Sequence, residues 1–260
     1  MSRQFAGELI GTFILVLFGC GAVAGDVLFG AFGSLFEVAM IWGIGVALGI
    51  FASRNLSQAH LNPAVTAAML LAGNINRKHL LPYLSGQLIG AFLAGVSLLL
   101  IFEPSIGMFE AAEGITRGQV GSQRSAMMFG EYYPNPGFAD KISLSIIQAM
   151  ILEAFGTLLL VGMILLLTHH QDQIDNTTPL FIGLTVSMII SLIAPFTQAG
   201  LNPARDLGPR LVAWIGGWGP AAFPDAAGGW FWVYILGPVL GGLLASSLFR
   251  LMSKKQSHSP

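Results

Sequence analysis

The chain has 260 residues, of which 54% are hydrophobic and only 10% are charged. Soluble domains carry roughly 25% charged residues, so this composition excludes an ordinary soluble protein and also a disordered one. The formal net charge of −1 leaves no basic surface for nucleic acid. A single cysteine, Cys20, excludes an internal disulfide framework and a cysteine-based zinc site.

Six long apolar stretches predict membrane-spanning helices, because each is long enough to cross a hydrocarbon core of about 30 Å. They cover residues 5–24, 35–53, 80–102, 142–168, 179–196 and 230–250. The polar stretch 103–141 predicts an external loop with little core of its own, and residues 253–260 are expected to form a disordered tail. The interpretation is an all-α membrane protein with one domain over residues 1–252.

The first stretch also resembles a secretory signal peptide, because Arg3 precedes it and Ala22-Val23-Ala24 is a cleavage-type sequence. Two observations favour a retained helix. Glu8 lies inside the apolar region, and the segment around it has a second copy later in the chain.

Three landmarks recur in the same order at nearly one offset, which indicates a tandem duplication. They are Glu-x-x-Gly-Thr at Glu8 and Glu153, Leu-Asn-Pro-Ala at Leu61 and Leu201, and Gly-x-x-x-Gly at Gly86 and Gly237. Each half holds three spans, and an odd number turns the second half over in the membrane. The sequence therefore predicts an inverted repeat of about residues 3–102 and 142–250. Seven of the twelve Lys and Arg residues fall on the side of the termini, which predicts cytoplasmic N- and C-termini in a cell membrane.

Each Asn-Pro-Ala sequence opens a helix of about ten residues, too short to span the bilayer. Asn is a good helix cap, Pro suits the first helical position, and glycines follow each apolar run. Alone, either sequence would fit a surface helix. Two copies at matching places in an inverted repeat instead predict half-helices that enter from opposite faces and meet at the midplane. Their positive ends would then point into one pore.

These motifs make the chain resemble the major intrinsic protein family, the aquaporins and glycerol facilitators. The resemblance rests on Asn62-Pro63-Ala64 and Asn202-Pro203-Ala204, on Arg205 directly after the second motif, and on His60-Leu61 before the first. It covers residues 3 to about 250. It implies six tilted helices, two re-entrant half-helices, a pore in each protomer and a homotetramer.

The resemblance also implies an aromatic/arginine selectivity filter at Trp42, Ile190, Ala199 and Arg205. Glycerol-conducting members usually have Trp, Gly, Phe and Arg there, whereas water-selective members usually have Phe, His, a small residue and Arg. This chain keeps the Trp, lacks the His, and departs at Ile190 and Ala199. The set is similar to that of plant nodulin-26-like channels, which the family associates with glycerol and uncharged metalloid acids.

The chemistry of these residues suits a polyol, which has hydroxyls on one edge and carbons on the other. Trp42 and Ile190 can pack the carbon edge, while Arg205 can donate hydrogen bonds to hydroxyls. At the midplane, Asn62 and Asn202 can donate to the solute. The remaining predicted pore-lining residues are His60, Leu61, Gln198, Gly200 and Leu201. Glu8 and Glu153 are predicted to be structural, holding backbone N–H groups of the re-entrant loops.

The function predicted is a passive channel for small uncharged solutes, most simply glycerol and water, which excludes ions and protons. The alternatives are a water-selective channel, a metalloid acid channel and an ion-coupled transporter. Coupling would need intramembrane ionisable groups, and only the two matched glutamates are available. The sequence contains no phosphate-binding loop and no H-E-x-x-H motif, so we expect no enzyme activity, no cofactor and no metal.

Overall fold

The computed structural model describes residues 2–169, 175–224 and 228–256. Within these ranges the chain is helical and has no β-strand. In chain order the helices are α1 (Arg3–Phe29), α2 (Leu35–Ser53), α3 (Pro63–Ala72), α4 (Leu80–Ala112), α5 (Gln123–Ala126), α6 (Ile146–Thr168), α7 (Thr178–Thr197), α8 (Pro203–Ala213), α9 (Gly229–Phe231) and α10 (Gly237–Gln256).

Six helical segments are long and apolar enough to cross a membrane, as the sequence predicts. Four of them are α1, α2, α6 and α7. The third along the chain is α4 with the turn before it (Arg77–Ala112), and the last joins α9 to α10 (Gly229–Ser253). The protein is therefore an all-helical, multi-pass membrane protein.

The predicted boundaries of the long connection and of the tail are wrong. Helix α4 continues to Ala112 and α6 begins at Ile146, so the predicted loop 103–141 is replaced by a connection over residues 113–145. The extension is stabilised by packing, because Ile106 and Glu110 lie one turn apart on its buried face. At the other end of the chain, α10 continues to Gln256, three residues past the predicted start of the tail at Ser253. Residues 257–260 lie outside the described part of the chain.

Glycines let the helices of each half approach closely, and they do so in matched pairs. A Cβ on Gly90 of α4 would lie 2.3 Å from the carbonyl oxygen of Leu9 in α1. A Cβ on Gly241 of α10 would lie 2.0 Å from the carbonyl oxygen of Ala154 in α6. The duplicated Gly-x-x-x-Gly sequences therefore make the same helix–helix contact twice, as small residues commonly do between membrane helices.

Helices α2 and α7 cross at the boundary between the two halves, and their contact is reciprocal. A Cβ on Gly43 would lie 2.3 Å from the carbonyl oxygen of Gly183, and a Cβ on Gly183 would lie 2.3 Å from that of Gly43. Such a self-complementary contact is expected at a two-fold axis. The halves are thus related by a pseudo-two-fold axis, as an inverted repeat requires.

Candidate solute pore

Helices α3 and α8 are the two short helices predicted from the Asn-Pro-Ala motifs. The Asn62 side-chain oxygen accepts a hydrogen bond from the N–H of Ala64 at 2.8 Å. The Asn202 oxygen accepts from the N–H groups of Ala204 and Arg205 at 3.1 and 3.3 Å. Each asparagine therefore caps its own helix, and a proline occupies the first helical position behind it.

The two caps are joined across the repeat. The Asn62 side-chain NH₂ donates to the carbonyl oxygen of Leu201 at 2.9 Å, and that of Asn202 donates to the carbonyl oxygen of Leu61 at 2.8 Å. The helix N-termini therefore meet inside the protein. One N–H of each asparagine side chain is used in this way, so one N–H of each remains for a solute. The carbonyl oxygens of Leu61 and Leu201 already accept these hydrogen bonds.

The loops that lead into the half-helices have an unusual backbone. Five non-glycine residues adopt positive φ angles of 50° to 60°, namely Ala59, Leu61, Gln198, Ala199 and Leu201. This conformation is unfavourable for residues with a Cβ, so neighbouring groups must hold it in place.

Buried carboxylates hold both loops. Glu8 accepts hydrogen bonds from the N–H groups of His60 and Leu61 at 3.0 and 2.7 Å. Glu153 accepts from the N–H groups of Gly200 and Leu201 at 2.9 and 2.7 Å. Neither carboxylate is exposed to solvent. The contacts explain how loops without regular structure are kept at this depth.

Side-chain donors complete each carboxylate site. Ser57 and Gln87 donate to Glu8, both at 2.7 Å. Thr197 donates to Glu153 at 2.6 Å. Glu8 therefore has four hydrogen-bond donors and Glu153 has three, and neither residue lines a cavity on the solute path.

Two cavities adjoin Arg205, and the larger one reaches the place where the half-helices meet. The larger, of about 1190 Å³, is lined by both capping asparagines and by His60, Leu61, Ala199, Gly200 and Leu201. The smaller, of about 330 Å³, is lined by Gln198 and by residues of the 113–145 connection. Trp42, Ile190 and Arg205 line both cavities, and they therefore form the boundary between them.

Three of the four predicted filter residues thus lie at this boundary. The fourth, Ala199, lines the larger cavity and not the smaller one. The Arg205 guanidinium stacks over the Trp42 ring at 4.1 Å from the ring centre. All four residues are at most 5% exposed. The proline and alanine residues of the two motifs, Pro63, Ala64, Pro203 and Ala204, line neither cavity.

His60 lies in the wall of the larger cavity. Its Nδ1 is 3.2 Å from Thr66 Oγ1, and its ring meets that of Tyr83 at 4.8 Å between centres. The described residues contain no group of three or more His, Cys, Asp or Glu side chains that could hold a metal ion.

Two contributors to the boundary were missed by the sequence analysis. Gly19 makes room for Trp42, because a Cβ at position 19 would lie 2.1 Å from the indole ring. Glu131 is fully buried in the 113–145 connection, and its Oε1 contacts Nη1 of Arg205. Neither residue belongs to a recognisable motif, so composition and spacing carry no signal for their positions.

The 113–145 connection packs against the rest of the protein. Met128, Phe129 and Tyr132 are at most 3% exposed and belong to the same buried apolar cluster as residues of the spanning helices. Arg210, also fully buried, explains why: its guanidinium donates to the carbonyl oxygen of Glu131 at 2.6 Å and to both oxygens of Asp206. A buried ion pair thus ties the connection to α8.

Paired half-helices, a cavity on each side of a narrow boundary, and loops held by buried carboxylates define a membrane channel built on an inverted repeat. Comparison with known proteins identifies the family. The model of the family described as "Major intrinsic protein" matches residues 1–249. The chain belongs to this family.

Several relatives match almost the whole chain. The glycerol uptake facilitator proteins of Pseudomonas aeruginosa and Escherichia coli K12 are each 36% identical to it, over 96% of this chain and 88% of theirs. The propanediol uptake facilitator of Salmonella typhimurium is 34% identical, over 96% of this chain and 93% of its own. The X-ray structure of the aquaglyceroporin from Plasmodium falciparum superposes with a TM-score of 0.80 at 25% identity, covering 95% of this chain and 94% of the other.

Proposed function

We propose that this protein is a passive channel that conducts glycerol and water and excludes ions and protons. The observation that carries the proposal is the boundary between the two cavities. There the apolar surfaces of Trp42 and Ile190 lie beside the guanidinium of Arg205, which stacks on the Trp42 ring, so the lining offers a polyol apolar surface for its carbons and N–H donors for its hydroxyls. The relatives named for glycerol uptake support the same solute class.

Selectivity against ions follows from the charges along the path. The N-termini of α3 and α8 meet at the capping asparagines and add positive potential to that of Arg205. As in aquaporin-type pores, this potential opposes protons and metal cations. A neutral solute meets single donors and acceptors in succession, which replaces its hydration without a deep trap.

Stopped-flow light scattering on proteoliposomes tests the proposal, with water, glycerol and larger polyols as solutes. We expect glycerol flux well above the lipid background, with no change on adding ionophores that collapse ion gradients. Fast water flux with glycerol at the background rate would favour the water-selective alternative. Flux abolished by ionophores would favour a coupled transporter.

Small uncharged metalloid acids form a second solute class in this proposal. The small side chain of Ala199 takes little space in the lining of the larger cavity, and the boundary residues Trp42, Ile190 and Arg205 include no histidine. Uptake of boric acid or arsenous acid into the same liposomes is the direct measurement, and a rate equal to that of empty liposomes would remove this class.

The proposal also covers the membrane location, the orientation and the assembly of the channel. We place it in the cell membrane with both termini in the cytoplasm, and we assign it a homotetramer with one pore in each protomer. Leu48 and Phe51 of α2 and Leu184 and Met188 of α7 are exposed apolar side chains available to lipid or to a second copy. Cross-linking in native membranes and protease access to a C-terminal tag test assembly and orientation.

A further inference from the structure

The contact between Glu131 and Arg205 places an ionisable group inside the wall of a pore for uncharged solutes. Glu131 is fully buried and lines the smaller cavity beside Trp42, Ile190 and Arg205. Its Oε1 meets Nη1 of Arg205, so the two buried side chains form an ion pair. The inference below rests on the function proposed above and concerns what this carboxylate does to the pore.

Glu131 is held rigidly although it lies in a connection between helices. Its N–H donates to Asp206 at 2.8 Å, and its carbonyl oxygen accepts from Arg210 at 2.6 Å. The next N–H, that of Tyr132, donates to the Gln198 side chain at 2.9 Å. The carboxylate is therefore directed at Arg205 by three backbone contacts, which a solvated loop residue would lack.

Charged and titratable groups surround Glu131 on several elements. They are Arg205, Asp206 and Arg210 of α8, Glu153 of α6, Cys20 of α1, the neighbouring Tyr132, and Tyr234 before α10. Asp206 is neutralised by Arg210, whose guanidinium donates to both of its oxygens. Glu153 accepts three hydrogen bonds from the re-entrant loop. Among the described residues, Glu131 is the carboxylate in ion-pair contact with Arg205.

We propose that Glu131 is a positioning residue whose carboxylate offsets part of the charge of Arg205, and that loss of its negative charge turns Arg205 into a site for a small monovalent anion that blocks the pore. A buried, unpaired guanidinium is costly, so an anion that reaches it from the smaller cavity gains a strong, charge-assisted interaction. Rapid conduction requires weak binding, and an anion bound in this way would leave slowly.

The charge of Glu131 can change within an accessible pH range. Burial raises the pKa of Glu131 to about 8, against the opposing attraction of Arg205. A raised pKa means that the protonated, uncharged form is populated below that value and the carboxylate above it. Sensitivity to anions should therefore appear as the pH falls through about 8 and disappear at higher pH.

The test measures glycerol flux into proteoliposomes in sodium nitrate and in sodium gluconate of equal osmolarity. Nitrate is small, planar and permanently charged, whereas gluconate is a bulky anion. Measurements are made at about pH 9.5 and about pH 6.5, on either side of the pKa. We expect nitrate to slow glycerol flux several-fold in wild type at the lower pH only, and in Glu131→Gln at both.

Two further variants separate this role from a purely structural one. Glu131→Asp keeps the charge and should restore resistance to nitrate at the higher pH. Glu110→Gln removes another buried carboxylate from an ion pair, with Arg117 outside the pore, and should behave as wild type. Equal nitrate inhibition of wild type and Glu131→Gln at the higher pH would overturn the proposal.

If Glu131→Gln does not fold, measurements on the wild-type protein still test the proposal. Nitrate inhibition of wild-type glycerol flux that is the same at both pH values would overturn it. Glycerol flux in gluconate reports separately on the proposed channel function. If wild type conducts no glycerol there, the proposed function fails, whereas conduction without pH-dependent nitrate inhibition removes only the role of Glu131.

Discussion

The two re-entrant loops, residues 57–65 and 197–205, have almost the same sequence and the same hydrogen-bonding scheme. They differ at three positions of nine: Ser57 is replaced by Thr197, His60 by Gly200, and Val65 by Arg205. In both, a buried glutamate from the first helix of the half binds two consecutive N–H groups and a hydroxyl. The scaffold of the pore is therefore built twice by one set of interactions.

The differences lie where the solute passes. Only the second loop carries a charge, at Arg205, and the 113–145 connection supplies Glu131 to that charge. In the first loop the ring of His60 packs against Tyr83. The second loop has Gly200 at the matching position, and Tyr234 lies close to it. The comparison shows that the hydrogen bonds that hold the loops occur in both halves, whereas the charged side chain available to select solutes occurs only in the second loop.

The largest effect should come from removing the shared support. Glu8→Ala leaves four donors without an acceptor and Glu153→Ala leaves three, and each orphaned buried donor costs about 1–3 kcal/mol. We expect neither variant to give monodisperse protein on size exclusion in detergent, and Glu8→Ala to be the worse of the two. Glu113→Ala, at an exposed ion pair, is the control and should lower stability little. Wild-type stability of Glu8→Ala would refute the shared role.

The second prediction tests whether Arg205, the charged residue of the second loop, excludes protons. Arg205→Val introduces the residue found at the matching position, Val65. Removing the guanidinium from the boundary between the cavities takes positive charge away from the solute path, so proton leak should rise by about tenfold or more, since each 1.4 kcal/mol of barrier is a factor of ten. A pH-sensitive dye inside proteoliposomes measures the leak, and Val65→Ala is the matched control. Folded Arg205→Val protein with unchanged leak and unchanged solute preference would contradict the assignment.

The features that sequence predicts are those fixed by local chemistry or by repetition. The spans follow from apolar length, and the half-helices from Asn62 and Asn202 with the prolines behind them. The duplication places Glu8 and Glu153 at matching positions, which indicates a shared role. Each of these signals is contained in a few neighbouring residues or in their second copy.

The features that sequence missed depend on contacts between distant segments. Glu131 lies in a polar stretch that resembles an ordinary loop, and it becomes part of the pore only because Asp206 and Arg210 bind its backbone. The last turns of α4 are buried on the side of Ile106 and Glu110, and Glu110 accepts a hydrogen bond from Ser125 in the following connection. No composition or spacing rule carries that information, since the partners are non-local.

A smaller effect is expected at Gly200, which stands in the second loop where the first loop has His60. A Cβ on Gly200 would lie 2.8 Å from the Tyr234 ring and 3.3 Å from the Glu153 carboxylate. Gly200→Ala should therefore destabilise the protein by about 1–3 kcal/mol and slow glycerol flux, as overpacking does elsewhere. Gly162→Ala, in open space on α6, is the control and should have neither effect. Equal thermal unfolding temperatures in detergent for the two variants would count against the contact with Tyr234.

The smallest effect concerns the glutamine shared by both loops. Gln198 accepts from the buried N–H of Tyr132 at 2.9 Å and donates to the carbonyl oxygen of Met127 at 3.1 Å, so it fastens the 113–145 connection to the pore. Gln58 makes one side-chain bond, to the carbonyl oxygen of Asn74, at an exposed site. Gln198→Ala should cost about 0.5–1.5 kcal/mol because it removes a hydrogen bond to a buried N–H, whereas Gln58→Ala should cost less than about 0.5 kcal/mol. Thermal unfolding in detergent compares the two, and shifts of equal size would mean that the connection adds no stability to the second loop beyond what the repeated scaffold provides.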